Sequence, residues 1–449
     1  MSEVTLREIR RARHRMDDPE VVQRTPVERS RSLSEITGCD VRLKMEHLQR
    51  TGSFKTRGAY NKLARLTGGD GTDGKTTEDE ADGEQSPERA NGEPTPERVV
   101  AASAGNHAQG VALAATSFGV DSTIVMPETA PQAKIDATRG YGATVELVGQ
   151  TFAEAMDHAQ SLTDDPDTVF VHAYDDRDVI AGQGTLGLEL LDQLDDIDAV
   201  IVPIGGGGLI SGVATAIGEV APEIEIIGVQ AAGAATVPDS LDAGEPVEEE
   251  DPDTIADGIA TGGISELTFE HIEKYVDTVC TVTDNEIAWA VLTLLERAKQ
   301  LVEGAGAVSV AALRSSELDL SGKRVVPLLC GGNIDVNTLQ EVLTRAQRQR
   351  SQQLRLRVRI EDRPGRLEEI SSCIAEHGGN VRSVRHDRAV EELSIGEAYL
   401  IFEVVTAGRE HAENIVSSIE SAGYEVERAG GRNGRPEDHR AAHSQGGAE

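Results

Sequence analysis

Lysine is scarce in this chain of 449 residues: eight of its 43 basic residues are lysine, and 78 acidic residues leave a formal charge of -35. So negative a balance argues against nucleic acid and anionic membrane surfaces as partners. Cysteine is also sparse. Cys39, Cys280, Cys330 and Cys373 form neither a C-x-x-C pair nor the framework of a disulfide-stapled domain, so a reducing compartment is expected. Long apolar runs are missing as well, and no stretch approaches the roughly 18 residues of a membrane span. The arginines near the start, Arg7, Arg10, Arg11, Arg13 and Arg15, have no apolar stretch behind them. The expectation is a soluble, cytoplasmic protein without a Sec-type signal.

Hydrophobic residues make up 38% and are spread along the chain, enough for two or three packed domains rather than a disordered acidic polymer. Stretch 68–97 carries ten acids against Lys75 and Arg89, yet most of the excess charge lies elsewhere. The acidity is therefore global. It reads as a surface kept hydrated in concentrated salt, where screening removes self-repulsion, and points to a halophilic setting.

From residue 98 onward, short β-rich runs alternate with helical periodicity: 98–103 then 106–118, 122–126 then 131–141, 199–204 then 209–220. This order predicts α/β architecture with largely parallel sheets. Residues 68–97 lack apolar periodicity and separate a helix at 55–66 from a strand at 99–103, which predicts a solvated loop. After a helix at 336–347, near Arg350, the pattern changes. Leu354, Leu356, Val358 and Ile360 alternate with arginines as in a half-buried strand. A helix at 364–376, strands at 380–390 and 398–405, a helix at 410–422 and a strand at 424–428 complete a βαββαβ, ferredoxin-like unit. The expected domains are 1–347 and 351–430, with 431–449 as a disordered tail.

Three segments carry chemistry. In Thr51-Gly-Ser-Phe-Lys55-Thr-Arg-Gly-Ala59, a lysine opens a helix, where burial and the helix N-terminus ease loss of its proton. An ordinary exposed first-turn lysine is the plainer reading of so short a motif. Ala102-Ser-Ala-Gly-Asn-His-Ala-Gln-Gly110 spans a strand-to-helix junction with small residues, free amides and the directional side chain of Asn106; a βα turn with an Asn N-cap is its plain counterpart. The third is an apolar strand running into Gly205-Gly-Gly-Gly208 and a helix. Four glycines contribute no packing and cost conformational entropy, so their amides are expected to wrap an anion such as phosphate. The spacing is not G-x-G-x-x-G, the next strand ends in Gln230 rather than a ribose-binding acid, and no G-K-[ST] follows.

With Ile255-Ala-Asp-Gly-Ile-Ala260, Glu303-Gly-Ala-Gly-Ala307 and Leu328-Leu-Cys330-Gly-Gly-Asn333, these segments resemble the fold-type II pyridoxal-phosphate enzymes, most closely the threonine dehydratases (threonine ammonia-lyases), over about 26–343. Beyond Arg350 the chain resembles an ACT domain, through Asp362-Arg-Pro-Gly365 and Gly379-Asn380.

The resemblance implies two α/β subdomains with largely parallel sheets plus a regulatory ACT domain, and pyridoxal 5'-phosphate as cofactor. It implies that Lys55 forms the Schiff base, that Phe54 packs on the cofactor ring and that Asn106 bonds its hydroxyl. Gly205, Gly206, Gly207, Gly208 and Leu209 would hold its phosphate, and Cys330 would face its pyridine nitrogen. Ser103, Gly105, Asn106 and His107 would receive the substrate carboxylate, although a histidine at a helix start is usually packing. A thiol is a weak partner for the ring nitrogen, which favours elimination over transamination. The implied cycle is α-proton removal by Lys55 and loss of the β-hydroxyl with help from an acid, the cofactor phosphate, giving a 2-oxo acid and ammonia. L-Threonine would give 2-oxobutanoate and L-serine pyruvate.

Ala104 stands where serine racemases carry an acid/base serine, and Gln230 where cation-binding members carry an acid; racemisation and a tight divalent site are therefore not expected. Asp362, Gly365 and Asn380 match an effector loop for an amino acid such as isoleucine. Dimers or tetramers are implied by the family alone. A serine or hydroxyaspartate dehydratase and a catalytically silent amino-acid sensor stand as alternatives.

Overall fold

The computed structural model describes residues 3–68, 95–249, 251–390 and 392–428. Nearly all of the 68–97 loop and the whole 431–449 tail lie outside the described residues. The chain divides into two compact units, 1–342 and 343–449. The division falls within the helix Val336–Gln349, a few residues before Arg350.

The first unit contains two sheets. The larger has the order Val27–Arg29, Asp40–Lys44, Arg324–Pro327, Ala199–Pro203, Glu225–Ala231, Thr278–Val282, and all its neighbours are parallel except the first pair. The smaller, Thr144–Leu147, Asp121–Met126, Arg98–Ala102, Thr168–Phe170, is wholly parallel. Ala199–Pro203, inside the larger sheet, is buried at all five positions, and its sequence reads as an unbroken apolar run, as expected of a central parallel strand. The expected α/β core with largely parallel sheets is present.

In an open parallel sheet, ligands gather beyond the carboxyl ends of the strands, where the following helices begin. Both helix starts singled out in the sequence lie at such ends: Asn106–Phe118 follows Arg98–Ala102, and Gly208–Val220 follows Ala199–Pro203. Helix Lys55–Leu66 opens at the lysine itself, with Phe54 as its N-cap.

The second unit is a four-stranded antiparallel sheet, Asn380–Asp387, Glu397–Val405, Gln353–Glu361, Glu425–Arg428, with helices Arg366–Glu376 and Arg409–Ser421. Its first strand alternates strictly, with Leu354, Leu356, Val358 and Ile360 buried against Ile370, Ile374, Ile415 and Ile419. The helix expected from 364 starts at Arg366, because Gly365 takes a left-handed conformation (φ 96°) as its cap. The strand expected to run to 390 ends at Asp387, whose side chain accepts from the amide of Ala389 and turns the backbone away.

Candidate active site

One cavity of about 450 Å³ collects the three chemical segments and the Cys330 loop. Lys55, Phe54, Ser103, Gly105, Asn106, His107, Gly205 to Leu209 and Cys330 all line it. Lys134, Phe152 and Met156 contribute from the side of the smaller sheet, and Ile255, Asp257, Glu303 and Asn333 from elsewhere in the unit.

Lys55 is not an ordinary exposed lysine. Its Nζ donates to the carbonyl of Ala173 at 2.9 Å and stands 5.3 Å from the Phe54 ring centroid, and no carboxylate among the described residues is paired with it. Burial brings the amine down from 10.5 to about 8, with the neighbouring Cys330 acting in the opposite sense. Phe54 is tied by its amide to the Cys330 carbonyl at 3.1 Å, so the lysine loop and the Cys330 loop are clamped together. Cys330 is 4% exposed, its Sγ lies 3.5 Å from the Leu328 carbonyl, and burial pushes the thiol well above 9. It is a neutral group.

The glycine run is shaped for an anion. No amide from Gly205 to Leu209 donates to a backbone carbonyl outside the regular elements, and the first helical amides have no intrahelical partner. Gly207 has φ 88°, a conformation that exposes successive amides on one side. The Thr268 hydroxyl holds the Gly206 carbonyl at 2.9 Å, turning it away from that side. Tyr174 closes the loop from above: a Cβ on Gly206 would fall 2.3 Å from its ring.

Asn106 is the first residue of its helix, not its cap; Gly105 occupies the cap position. The Asn106 carboxamide is turned sideways, donating to Glu303 Oε1 at 2.7 Å and accepting from Asn333 Nδ2 at 2.8 Å. Ser103 Oγ accepts from the Gly105 amide at 3.1 Å, which tightens the turn. His107 is 4% exposed with Nε2 against the Val171 carbonyl at 2.8 Å. Burial, followed by the Lys55 charge, brings it down to about 3, so it is a neutral ring. His172 accepts from the amides of Asp175 and Tyr174 at Nδ1, so its neutral ring carries the hydrogen on Nε2.

Sequence reasoning assigned no role to Glu303, Asn333, His172, Tyr174 or Thr268. Glu303 and Asn333 were visible only as members of short glycine-containing motifs. Gln230, at the end of its strand, is used internally: its Oε1 accepts from the amides of Thr236 and Val237 at 3.1 and 2.8 Å. Among the described residues no group of three or more His, Cys, Asp or Glu side chains is placed to hold a metal ion. No described helix is long and apolar enough to cross a membrane.

In the second unit, Asp362 is already engaged. Its carboxylate accepts from Arg388 at 2.6 and 3.2 Å and lies 3.4 Å from His386. Gly365 caps the helix beside it, and Asn380 begins the edge strand opposite Val405.

A buried amine without a counter-ion, beside an amide-lined anion cradle, is the constellation of an enzyme that anchors a phosphorylated aldehyde. The family model described as "Pyridoxal-phosphate dependent enzyme" matches residues 19–331, and the chain belongs to that family; the ACT domain model matches 354–423. The cofactor of the family is pyridoxal phosphate, and the orphaned amides and the Lys55 amine on one cavity wall fit it. The chain is similar to an L-threonine ammonia-lyase of Thermotoga maritima, at 45% identity over 94% of this chain and 99% of the relative. An L-threonine ammonia-lyase of Geobacter sulfurreducens is 43% identical over 90% and 95%. Among solved structures, the processed form of threonine deaminase isoform 2 from Solanum lycopersicum superposes with a TM-score of 0.65 at 34% identity, covering 76% of this chain and 88% of that one.

Proposed function

We propose that this protein is a threonine ammonia-lyase, converting L-threonine to 2-oxobutanoate and ammonia and accepting L-serine to give pyruvate. The observation that carries the reading is the Lys55 amine, unpaired with any carboxylate among the described residues and brought down by burial to about 8, on the wall of a cavity that also holds the glycine cradle. Relatives named for this reaction, matched along almost the whole chain, support it. Residues 1–347 would carry catalysis and 351–430 amino-acid control.

Bound pyridoxal phosphate supplies an electron sink for the pair left when the Cα–H bond of an amino acid breaks. Lys55 Nζ would anchor the cofactor and, when free, take the Cα proton; an amine brought down to about 8 is suited to that task near neutral pH. Amides Gly205 to Leu209 would hold the phosphate, and Phe54 and Cys330, which line the same cavity, would contact the ring. A neutral Cys330 thiol would offer the cofactor's ring nitrogen only a weak partner, a setting that would favour β-elimination over transamination. Ser103, Gly105, Asn106 and His107 orient the substrate carboxylate. Ala104 brings no proton-transferring group, which disfavours racemisation.

In the second unit, Asp362, Gly365 and Asn380 form the amino-acid effector loop, and an effector's ammonium would compete with Arg388 for Asp362. A homodimer or homotetramer in the cytoplasm completes the reading. The test is 2-oxo acid formation from L-threonine and L-serine in concentrated salt, with and without isoleucine. Turnover of L-threonine is expected; turnover of neither amino acid contradicts the reading.

A further inference from the structure

Four motifs far apart in sequence meet in a single hydrogen-bonded chain on the cavity wall. Asn333 Nδ2 donates to the Thr51 carbonyl at 2.7 Å and to Asn106 Oδ1 at 2.8 Å, and Asn106 Nδ2 donates to Glu303 Oε1 at 2.7 Å. The backbone determines the direction of the whole chain. Thr51 O can only accept, so the Asn333 atom facing it must be the amide nitrogen. Both hydrogens of that nitrogen are then used, which forces Asn106 to meet it with its oxygen. The nitrogen of Asn106 is left facing Glu303. Turning Asn106 over would set two NH₂ groups against each other, losing the bond to Asn333, and would set a carbonyl oxygen against the carboxyl, a contact that only a protonated Glu303 could satisfy.

We propose that Glu303 and Asn333 are positioning residues that hold Asn106 in one orientation, so that its one remaining amide hydrogen is presented to the cofactor. The inference rests on the reading that the cavity takes pyridoxal phosphate. Two glycines give way to the arrangement. A Cβ on Gly331 would lie 2.0 Å from Glu303 Oε1, and one on Gly52 would lie 2.4 Å from Asn333 Oδ1. The Glu303 amide also donates to the Gly331 carbonyl at 3.1 Å, fixing the backbone from which the carboxyl reaches Asn106. The motif residues Gly52, Gly331, Glu303 and Asn333 thus share one purpose.

Among the described residues no cation is paired with Glu303. Burial raises its carboxyl from 4.5 to about 7; Asn106 and Lys134 pull it down, Asp257 pushes it up, and Lys55 and Cys330 lie on the same cavity wall. In either protonation state an oxygen stays available to accept from Asn106. Geometry rather than charge is therefore what Glu303 contributes, and glutamine in its place should serve nearly as well.

The test uses the full-length protein stripped of cofactor and titrated with pyridoxal phosphate, without substrate. Three quantities are read: the dissociation constant by equilibrium dialysis, the pH at which the visible absorbance of the lysine-linked cofactor titrates, and the melting temperature of the stripped protein. Glu303→Ala and Asn333→Ala, at opposite ends of the chain, are each expected to weaken the cofactor about tenfold, the loss of roughly one oriented hydrogen bond. Both should move the absorbance titration in the same direction, with little change in melting. Glu303→Gln should restore affinity and titration to near wild type. Wild-type affinity and titration in both alanine variants, or a Glu303→Gln as defective as Glu303→Ala, overturns the proposal. A wild-type protein that develops no visible band contradicts the cofactor reading instead, and this inference falls with it.

Discussion

Two clusters of buried ionisable groups, centred two residues apart in the sequence, behave in opposite ways. Around Arg57 every charge has a partner. Its guanidinium donates to both oxygens of Glu46 at 2.8 Å and to Glu189 at 2.9 Å. Lys44 pairs with Glu189 and donates to the Thr25 carbonyl and to Gln193 at 2.8 and 2.9 Å. Burial opposes ionisation of Glu46, but the guanidinium beside it wins and holds the carboxyl down at about 2. Around Lys55 no charge is matched by a counter-ion among the described residues. The amine falls to about 8, the Cys330 thiol rises, His107 drops to about 3 and Glu303 rises to about 7. Pairing keeps charges ionised where they brace the fold, and withholding partners keeps groups near neutrality where protons must move.

The sharpest way to break this comparison is to remove one member of each cluster. Arg57→Ala leaves the buried Glu46 without its guanidinium partner and Glu189 with Lys44 alone, and is expected to cost about 3–5 kcal/mol of stability, read by chemical denaturation. Lys55→Ala removes an unpaired group, so stability should hold or rise slightly while turnover falls on the order of 10⁴-fold or more. A Lys55→Ala protein that unfolds, or an Arg57→Ala protein of unchanged stability, contradicts the division of labour.

The next effect concerns pH. Only the neutral amine attacks an aldehyde, so the rate at which the stripped protein takes up pyridoxal phosphate should climb about tenfold per unit below pH 8 and level off above it. Stopped-flow absorbance reads this directly. A rise that continues to pH 10 would show that burial has not lowered Lys55.

The smallest effect belongs to the exterior. With a net charge of -35, raising potassium chloride should raise the melting temperature by screening acidic side chains, while the fully buried Arg57 cluster is screened much less. Scanning the melting temperature against salt for wild type and Glu46→Gln should give parallel curves. Convergence at high salt would place the buried cluster in contact with solvent.

Much of this site was legible from sequence because its parts are local. Four glycines after an apolar strand, a lysine opening a helix and Cys330 before two glycines each announce themselves within ten residues. The alternating βαβ pattern did the same for the parallel sheets. What escaped notice depends on pairings across the fold. Asn106 and Asn333 are 227 residues apart, and Asn106 and Glu303 are 197 apart, so nothing local links them. Arg57 read as part of a lysine motif, yet its partners sit on a different strand-end turn and a different helix. The antiparallel edge strand Val27–Arg29 is three residues long, too short for any periodicity to show. Tyr174 and Thr268, which shape the glycine loop, carry no motif of their own.

The most direct measurement is to load the protein with pyridoxal phosphate, reduce it with borohydride and locate the modified residue by peptide mass spectrometry. The expected result is a single phosphopyridoxyl group on Lys55, formed in the wild type and absent after Lys55→Ala. Modification of another lysine, such as Lys134, or none at all, would contradict the assignment of Lys55 as the anchor on which the proposed chemistry depends.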